Sequence, residues 1–369
     1  EYLVGLGPDG NIAPTALATG WTPNETGDQW TFDLRPNVMW QDGSEFTSAD
    51  VAATMDRLSE VGNAGLQGVI DVGAVDASDP TKAVFSLIEP NGNFPVLVSL
   101  FNAQALITPV GYAAGTTLDA SPNGTGAWIL ESFDASTFST KYRKNPNWWG
   151  GDIPLDTIEL RGFADLGTTV TAMQSRDIDV IQQFTVIGGE GLLNDSDFVL
   201  LEPPAATHRE VWFNLAIETP FQQKAVRQAL AWSLDRQQMV DTLFAGRAVV
   251  GNDYPILSTL PFHDPDAVPQ RSRDIEQAKA LMAEAGVESF DIALDTGDLQ
   301  DIPDLAAIIQ QNAAEAGINI SVNTQSNSTF YEAAWCPQLY GAESSDISTL
   351  PCETSAAFGI VDYGHRPVP

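Results

Sequence analysis

Basic residues are scarce. Five lysines and 12 arginines stand against 49 acidic residues, a net charge of −32 over 369 residues. A chain without a basic patch cannot gather phosphates, so DNA and RNA are poor partners. Two readings of the acidity stay open: adaptation to high salt, where screening weakens self-repulsion, or an ordinary acidic secreted protein. Histidine is rarer still. His208, His263 and His365 sit far apart, and none has cysteine or histidine partners at zinc-ligand spacing. No G-x-S-x-G, no Walker A loop and no H-E-x-x-H is present, so the chain is not expected to be an enzyme. Pairs of carboxylates are common, but at this acidity they carry no information about a glycosidase. No run of about eighteen apolar residues exists, which argues against a membrane-spanning helix.

What is there suits a folded, divided chain. Hydrophobic residues make up 43% of it, and its length fits two or three domains. The most ordered stretch is residues 30–58, WTFDLRPNVMWQDGSEFTSADVAATMDRL. Trp30, Phe32 and Leu34 alternate with Thr31, Asp33 and Arg35, the period of a half-buried strand. Asp42-Gly43 marks a turn. Thr47 stands at an N-cap position with Asp50 three residues on, and Val51, Met55 and Leu58 follow at helical spacing. The stretch reads strand, turn, helix.

That run resembles the signature of the family 5 extracytoplasmic solute-binding proteins. These are the peptide-, nickel- and oligosaccharide-binding components of ABC importers. The match is gapless over almost thirty residues. The resemblance implies an α/β, two-lobed periplasmic-binding-protein-like fold of type II with an extra small subdomain. It also implies segments missing at both ends of the chain. The expected division is a small subdomain over 1–118, part of the first lobe over 119–210, and an incomplete second lobe over 211–369. Lobes of such proteins close over a ligand by hinge motion.

Gly5 to Gly10 fits G-x-G-x-x-G, but a Pro-Asp-Gly turn and then Asn11-Ile12-Ala13-Pro14 follow instead of a helix, so a hairpin is expected. GLGPDGNIAPTALATGW also resembles the run that precedes the family's signature strand. Strands are expected over 82–89, 128–133, 138–143, 155–160 and 178–180, and a buried helix and strand over 94–107. Asn145-Pro146-Asn147-Trp148-Trp149-Gly150-Gly151 resembles a family loop; its tryptophans either line the cleft or pack. VWFNLAIETPFQQKAVRQALAWSLDRQQMVDTLFAGRA, from Val211, resembles another family block. Its physics is a helix with Val226, Ala229 and Leu230 inward, then a helix capped by Asp235 with a Leu234–Met239 staple and a stop at Gly246. Asp274 caps a helix over 275–285. Residues 305–316 form another, and Ile318, Ile320 and Val322 alternate as a strand. Helix, strand, helix, strand is α/β.

The end, Phe358 to Pro367, resembles the family's Asp-Tyr strand end. In peptide-binding members that aspartate faces the cleft and takes the ligand's α-amino group, which implies the role for Asp362. Tyr363 then lines the pocket or packs, and Arg366 meets a ligand carboxylate or stays solvated. Phe330, Tyr331 and Trp149 complete the candidate wall. Cys336 and Cys352 bracket a short Ser/Asp/Pro segment. In an exported protein they form one disulfide, contributing about 3 kcal/mol, or remain free thiols. No cofactor and no metal site are expected. The expected partners are a small-molecule or peptide ligand and a permease with its ATPases, and the protein is expected to be an extracytoplasmic monomer, in the periplasm or anchored as a lipoprotein.

Overall fold

The computed structural model describes residues 1–8, 10–63, 65–113, 122–202, 209–253, 264, 266–331 and 357–362. The described chain forms two compact units, divided after Phe163.

The first unit starts with a two-stranded hairpin, β1 (Gly5–Leu6) and β2 (Ile12–Ala13). Gly7 N–H donates to Asn11 O at 2.8 Å, and Gly10 takes φ +79°, where a side chain would be strained. The glycine-rich run is therefore a turn. Next come β3 (Ala18–Pro23), β4 (Gln29–Leu34), helix α1 (Ser48–Glu60), β5 (Val75–Asp76) and β6 (Lys82–Ser86). They build an antiparallel sheet of order β3-β4-β6-β5. Trp30, Phe32 and Leu34 of β4 are buried, while Asp33 faces out and pairs with Lys82 at 3.2 Å. Phe32 meets Phe85 and Phe94 with ring centroids 5.2 and 6.1 Å apart, the centre of this core. The capping box of α1 is present: Thr47 N–H donates to Asp50 Oδ2 at 2.9 Å. Val51, Met55 and Leu58 are buried beneath it.

Residues 94–107 depart from expectation. Only α2 (Phe94–Leu97) is helical, and no long strand follows. The apolar residues are still inside: Phe94, Val98, Ala105 and Ile107 are all buried. Polar side chains break the regularity. Asn91 Oδ1 accepts from Asn93 N–H, Ser99 Oγ from Phe101 N–H, and Asn102 Nδ2 donates to Leu97 O. Such local bonds offer the backbone an alternative to a ladder. The unit closes with an antiparallel meander, β7 (Trp128–Asp134), β8 (Ser139–Lys144) and β9 (Thr157–Arg161).

The second unit opens with α3 (Leu166–Gln174), capped by the Asp165 carboxylate on Thr168 N–H, and α4 (Glu190–Leu193). The strand expected at 178–180 is not formed; Val180 is exposed, and among the described residues no strand pairs with the segment. Three residues at period two are too short a signal to outweigh the lack of a neighbour. Then follow β10 (Arg209–Phe213), α5 (Lys224–Ser233), α6 (Arg236–Phe244), α7 (Ile275–Glu284), β11 (Phe290–Gly297), α8 (Ile302–Ala314), β12 (Ile318–Gln325), α9 (Asn327–Thr329) and β13 (Phe358–Asp362). Asp235 and Asp274 cap α6 and α7, each accepting the N–H three residues on, at 2.9 Å. Leu234 and Met239 are both buried, and the chain leaves α6 through Ala245 and Gly246, both at positive φ. Helix α8 starts three residues before the expected Leu305, because Pro303 in its first turn needs no hydrogen bond there.

The sheet of this unit has the order β10-β13-β11-β12. Strands β11, β12 and β13 are parallel, and β10 runs against β13. Phe213, Phe221 and Phe358 cluster at 4.7 to 5.5 Å beside the sheet, with α5, α7 and α8 completing the core.

Candidate functional site

Three parallel strands in the second unit end together. Gly297 of β11 pairs in register with Gln325 of β12. Thr296 pairs with Ile360 of β13, so Asp362, two residues on, closes the same edge. In open α/β sheets ligands bind outside these carboxyl ends. The chain after β11 turns through residues 298–301 into α8. The chain after β12 enters α9, whose Asn327 N–H donates to Asp298 Oδ1 at 2.6 Å. The two loops are thus tied to each other. Gly297 lies at their contact: a Cβ there would lie 2.8 Å from Asn327 Oδ1 at the end of its side chain and 3.4 Å from its Cα.

The structure brings Phe330, Tyr331 and the backbone of Asp362 to this region of one unit. Phe330 is fully buried and meets Tyr331 edge-on at 5.3 Å, while Tyr331 remains half-buried. Phe330 is thus a packed residue, and Tyr331 is the one of the pair that keeps some exposed surface. Asp362 is the last residue of β13, its Cα opposite Arg209 of β10. Tyr363, Arg366, Cys336 and Cys352 lie outside the described residues, as do the three histidines. Among the described residues no cluster of His, Cys, Asp or Glu could hold a metal ion.

Trp149 belongs to the first unit. Its Nε1 donates to Glu1 Oε2 at 2.8 Å, and the Arg35 guanidinium covers its ring at 4.0 Å. Its loop is held by Asn145, which donates from Nδ2 to Gly126 O and from its backbone to Ala127 O. The Gly126–Ala127 turn and the loop around Trp149 are therefore one packed structure.

One group at the sheet edge escaped the sequence reading. Arg209 donates through Nε to Asp301 Oδ2 at 3.0 Å, and through Nη2 to Asp301 Oδ1 at 2.5 Å and Gln300 Oε1 at 2.7 Å. Asp301 is buried and Arg209 half-buried, with side-chain exposures of 3% and 16%. Asp301 is the N-cap residue of α8, and Gln300 before it holds a left-handed φ of +50°. A clue existed in an arginine beside an apolar strand in a chain so short of bases. The partner 92 residues away carried none.

Two α/β units, one with parallel strand ends converging on a polar edge, define a two-lobed solute-binding fold. The chain belongs to the bacterial extracellular solute-binding proteins, family 5, whose family model matches residues 14–343. It is 26% identical over 376 residues to the glutathione-binding protein GsiB of Salmonella typhi, covering all of this chain and 71% of the relative. It is also 26% identical to the nickel-binding periplasmic protein of Escherichia coli K12, covering 90% of this chain and 66% of that one. Among solved structures, NikZ of Campylobacter jejuni in complex with Ni(L-His) superposes with a TM-score of 0.81 at 18% identity, over 100% of this chain and 72% of that one. AppA of Bacillus subtilis in complex with a nonapeptide gives 0.79 at 18% identity, over 100% and 74%. These two show the shared fold. Proteins of the family are extracytoplasmic, bind small ligands or peptides and work with ABC permease components; the relatives named above are binding proteins, not enzymes. No described helix is long and apolar enough to cross a membrane.

Proposed function

We propose that this protein captures oligopeptides or dipeptides outside the membrane and delivers them to an ABC permease driven by its ATPase subunits. The observation that carries the reading is the common edge of β11, β12 and β13, where β13 ends in the backbone of Asp362 and beyond which the chain after β12 leads to the Phe330–Tyr331 pair. In this reading Asp362 takes the ligand's α-amino group, Tyr331 and Tyr363 line the pocket, and Arg366 meets a carboxylate. Trp149, in the first unit, is a fixed aromatic held by Arg35 and Glu1. Cys336 and Cys352 form a disulfide, the protein acts as a monomer, and a lipid anchor holds it at the cell surface or it moves freely in the periplasm.

A second reading has a specific observation behind it: relatives on this scaffold include a nickel-binding protein. Native mass spectrometry before and after unfolding and refolding separates the two. Adducts with peptide masses, lost on refolding, support the peptide reading; a metal complex or adducts at hexose spacing sink it. For a peptide identified this way, Asp362→Ala should weaken binding about thirtyfold or more, since truncating a desolvated ammonium–carboxylate pair costs about 2 kcal/mol at least. Calorimetric titration checks this, and unchanged affinity would remove Asp362 from the site.

A further inference from the structure

We infer that Arg209 is a positioning residue that sets the geometry of the ligand-binding edge; the inference rests on the reading of that edge given above. One guanidinium joins three segments. It stands at the start of β10 with its Cα opposite Asp362. It grips the carboxylate of Asp301, the N-cap of α8, with two parallel bonds. It also holds the side chain of Gln300, whose backbone sits in the left-handed region that non-glycine residues avoid. Gln183 Nε2 reaches the same Gln300 oxygen at 3.4 Å.

An ion pair whose carboxylate is buried and whose guanidinium is half-buried is a poor way to add stability. Taking both charges out of water costs most of what the pair returns, and an apolar pair of similar volume holds a fold as well or better. What the fork supplies is direction: two parallel bonds fix the carboxylate in one orientation, as no apolar contact can. Here the thing directed is the strained loop 298–301, which borders the end of β13. Sites that bind need their walls fixed in advance by such supporting contacts. Without Arg209 the Gln300 backbone would relax, and the loop and strand end would lose their common frame.

The test uses the full chain without ligand and two variants. Arg209→Lys keeps the charge and loses the fork. The double variant Arg209→Met with Asp301→Leu replaces the pair by apolar groups. Hydrogen exchange read by mass spectrometry follows residues 297–302 and 357–362, and the thermal midpoint follows the whole fold. The double variant is expected to melt close to the wild type while protection in those two segments falls about tenfold, the factor one charge-assisted hydrogen bond carries. Lysine is expected not to restore it. Wild-type protection in either variant would overturn the inference and make the pair interchangeable packing. If the double variant does not fold, the lysine variant decides alone. Because no ligand is added, this outcome and that of the adduct experiment can fail separately.

Discussion

Replacing Arg35 by alanine should destabilise the first unit by about 3 kcal/mol. The arginine closes the signature strand, and its side chain ties that strand to two other stretches. Its Nε donates to Ala16 O at 2.8 Å in a part-buried bond, and Nη2 donates to Pro14 O at 3.1 Å near the surface. Its Cζ lies 4.0 Å from the Trp149 ring centroid. A charged donor in a part-buried bond contributes about 1.5 kcal/mol, and an exposed one about 0.5. A half-desolvated cation over tryptophan adds about 1 kcal/mol. In alanine both carbonyls stay within reach of water, so no buried-polar penalty is added. For a unit of this size the loss should lower the melting temperature by about 6–12 °C. Arg35→Lys, which keeps the charge and can make only one of the bonds, should lose about half as much. Scanning calorimetry measures the shift, and hydrogen exchange should show extra opening at residues 14–17 and 145–151. The partners are neutral carbonyls and a ring, so about 1 M salt should leave the effect largely intact. A loss below about 0.5 kcal/mol, or one that salt abolishes, would refute the account of Arg35 as a clamp.

The other outcomes follow from single close contacts. Gly359→Ala should destabilise the second unit by about 1–3 kcal/mol in urea titration, because its Cβ would lie 2.6 Å from the Trp212 ring and 2.9 Å from Asp295 O, and the strand has no room to move. A neutral result would mean that β13 is free to shift. Asp42 should make stability pH-dependent. Ser44 Oγ and N–H, then Asn123, donate to its carboxylate and hold its pKa below the usual carboxylate range. A depressed pKa contributes stability above the unfolded value of about 4 and loses it as pH falls through the folded value. Asp42→Asn should therefore unfold at lower urea than the wild type at pH 7, with the gap closing on acidification to about pH 2. A gap that stays constant with pH would contradict this sign.

The parts of the fold legible in the sequence were those built by neighbours. The alternation of Trp30, Phe32 and Leu34 needs one strand, and the Thr47–Asp50 box needs one turn of helix. The glycine run resolved into a hairpin because its Pro-Asp-Gly turn is local. Burial was legible at 94–107, but form was not, since asparagine and serine side chains rather than periodicity chose the backbone path. At 178–180 the pattern asked for a strand that no strand among the described residues pairs with.

By itself the sequence determined the family, the α/β character and the caps, because each rests on residues within one or two turns of one another. Only the tertiary structure decided that β11, β12 and β13 end at one edge, that Arg35 lies over Trp149, and that Arg209 meets Asp301. Those pairings join residues far apart in the chain. Sheet order and register fix them, and neither leaves a periodic mark on the residues involved.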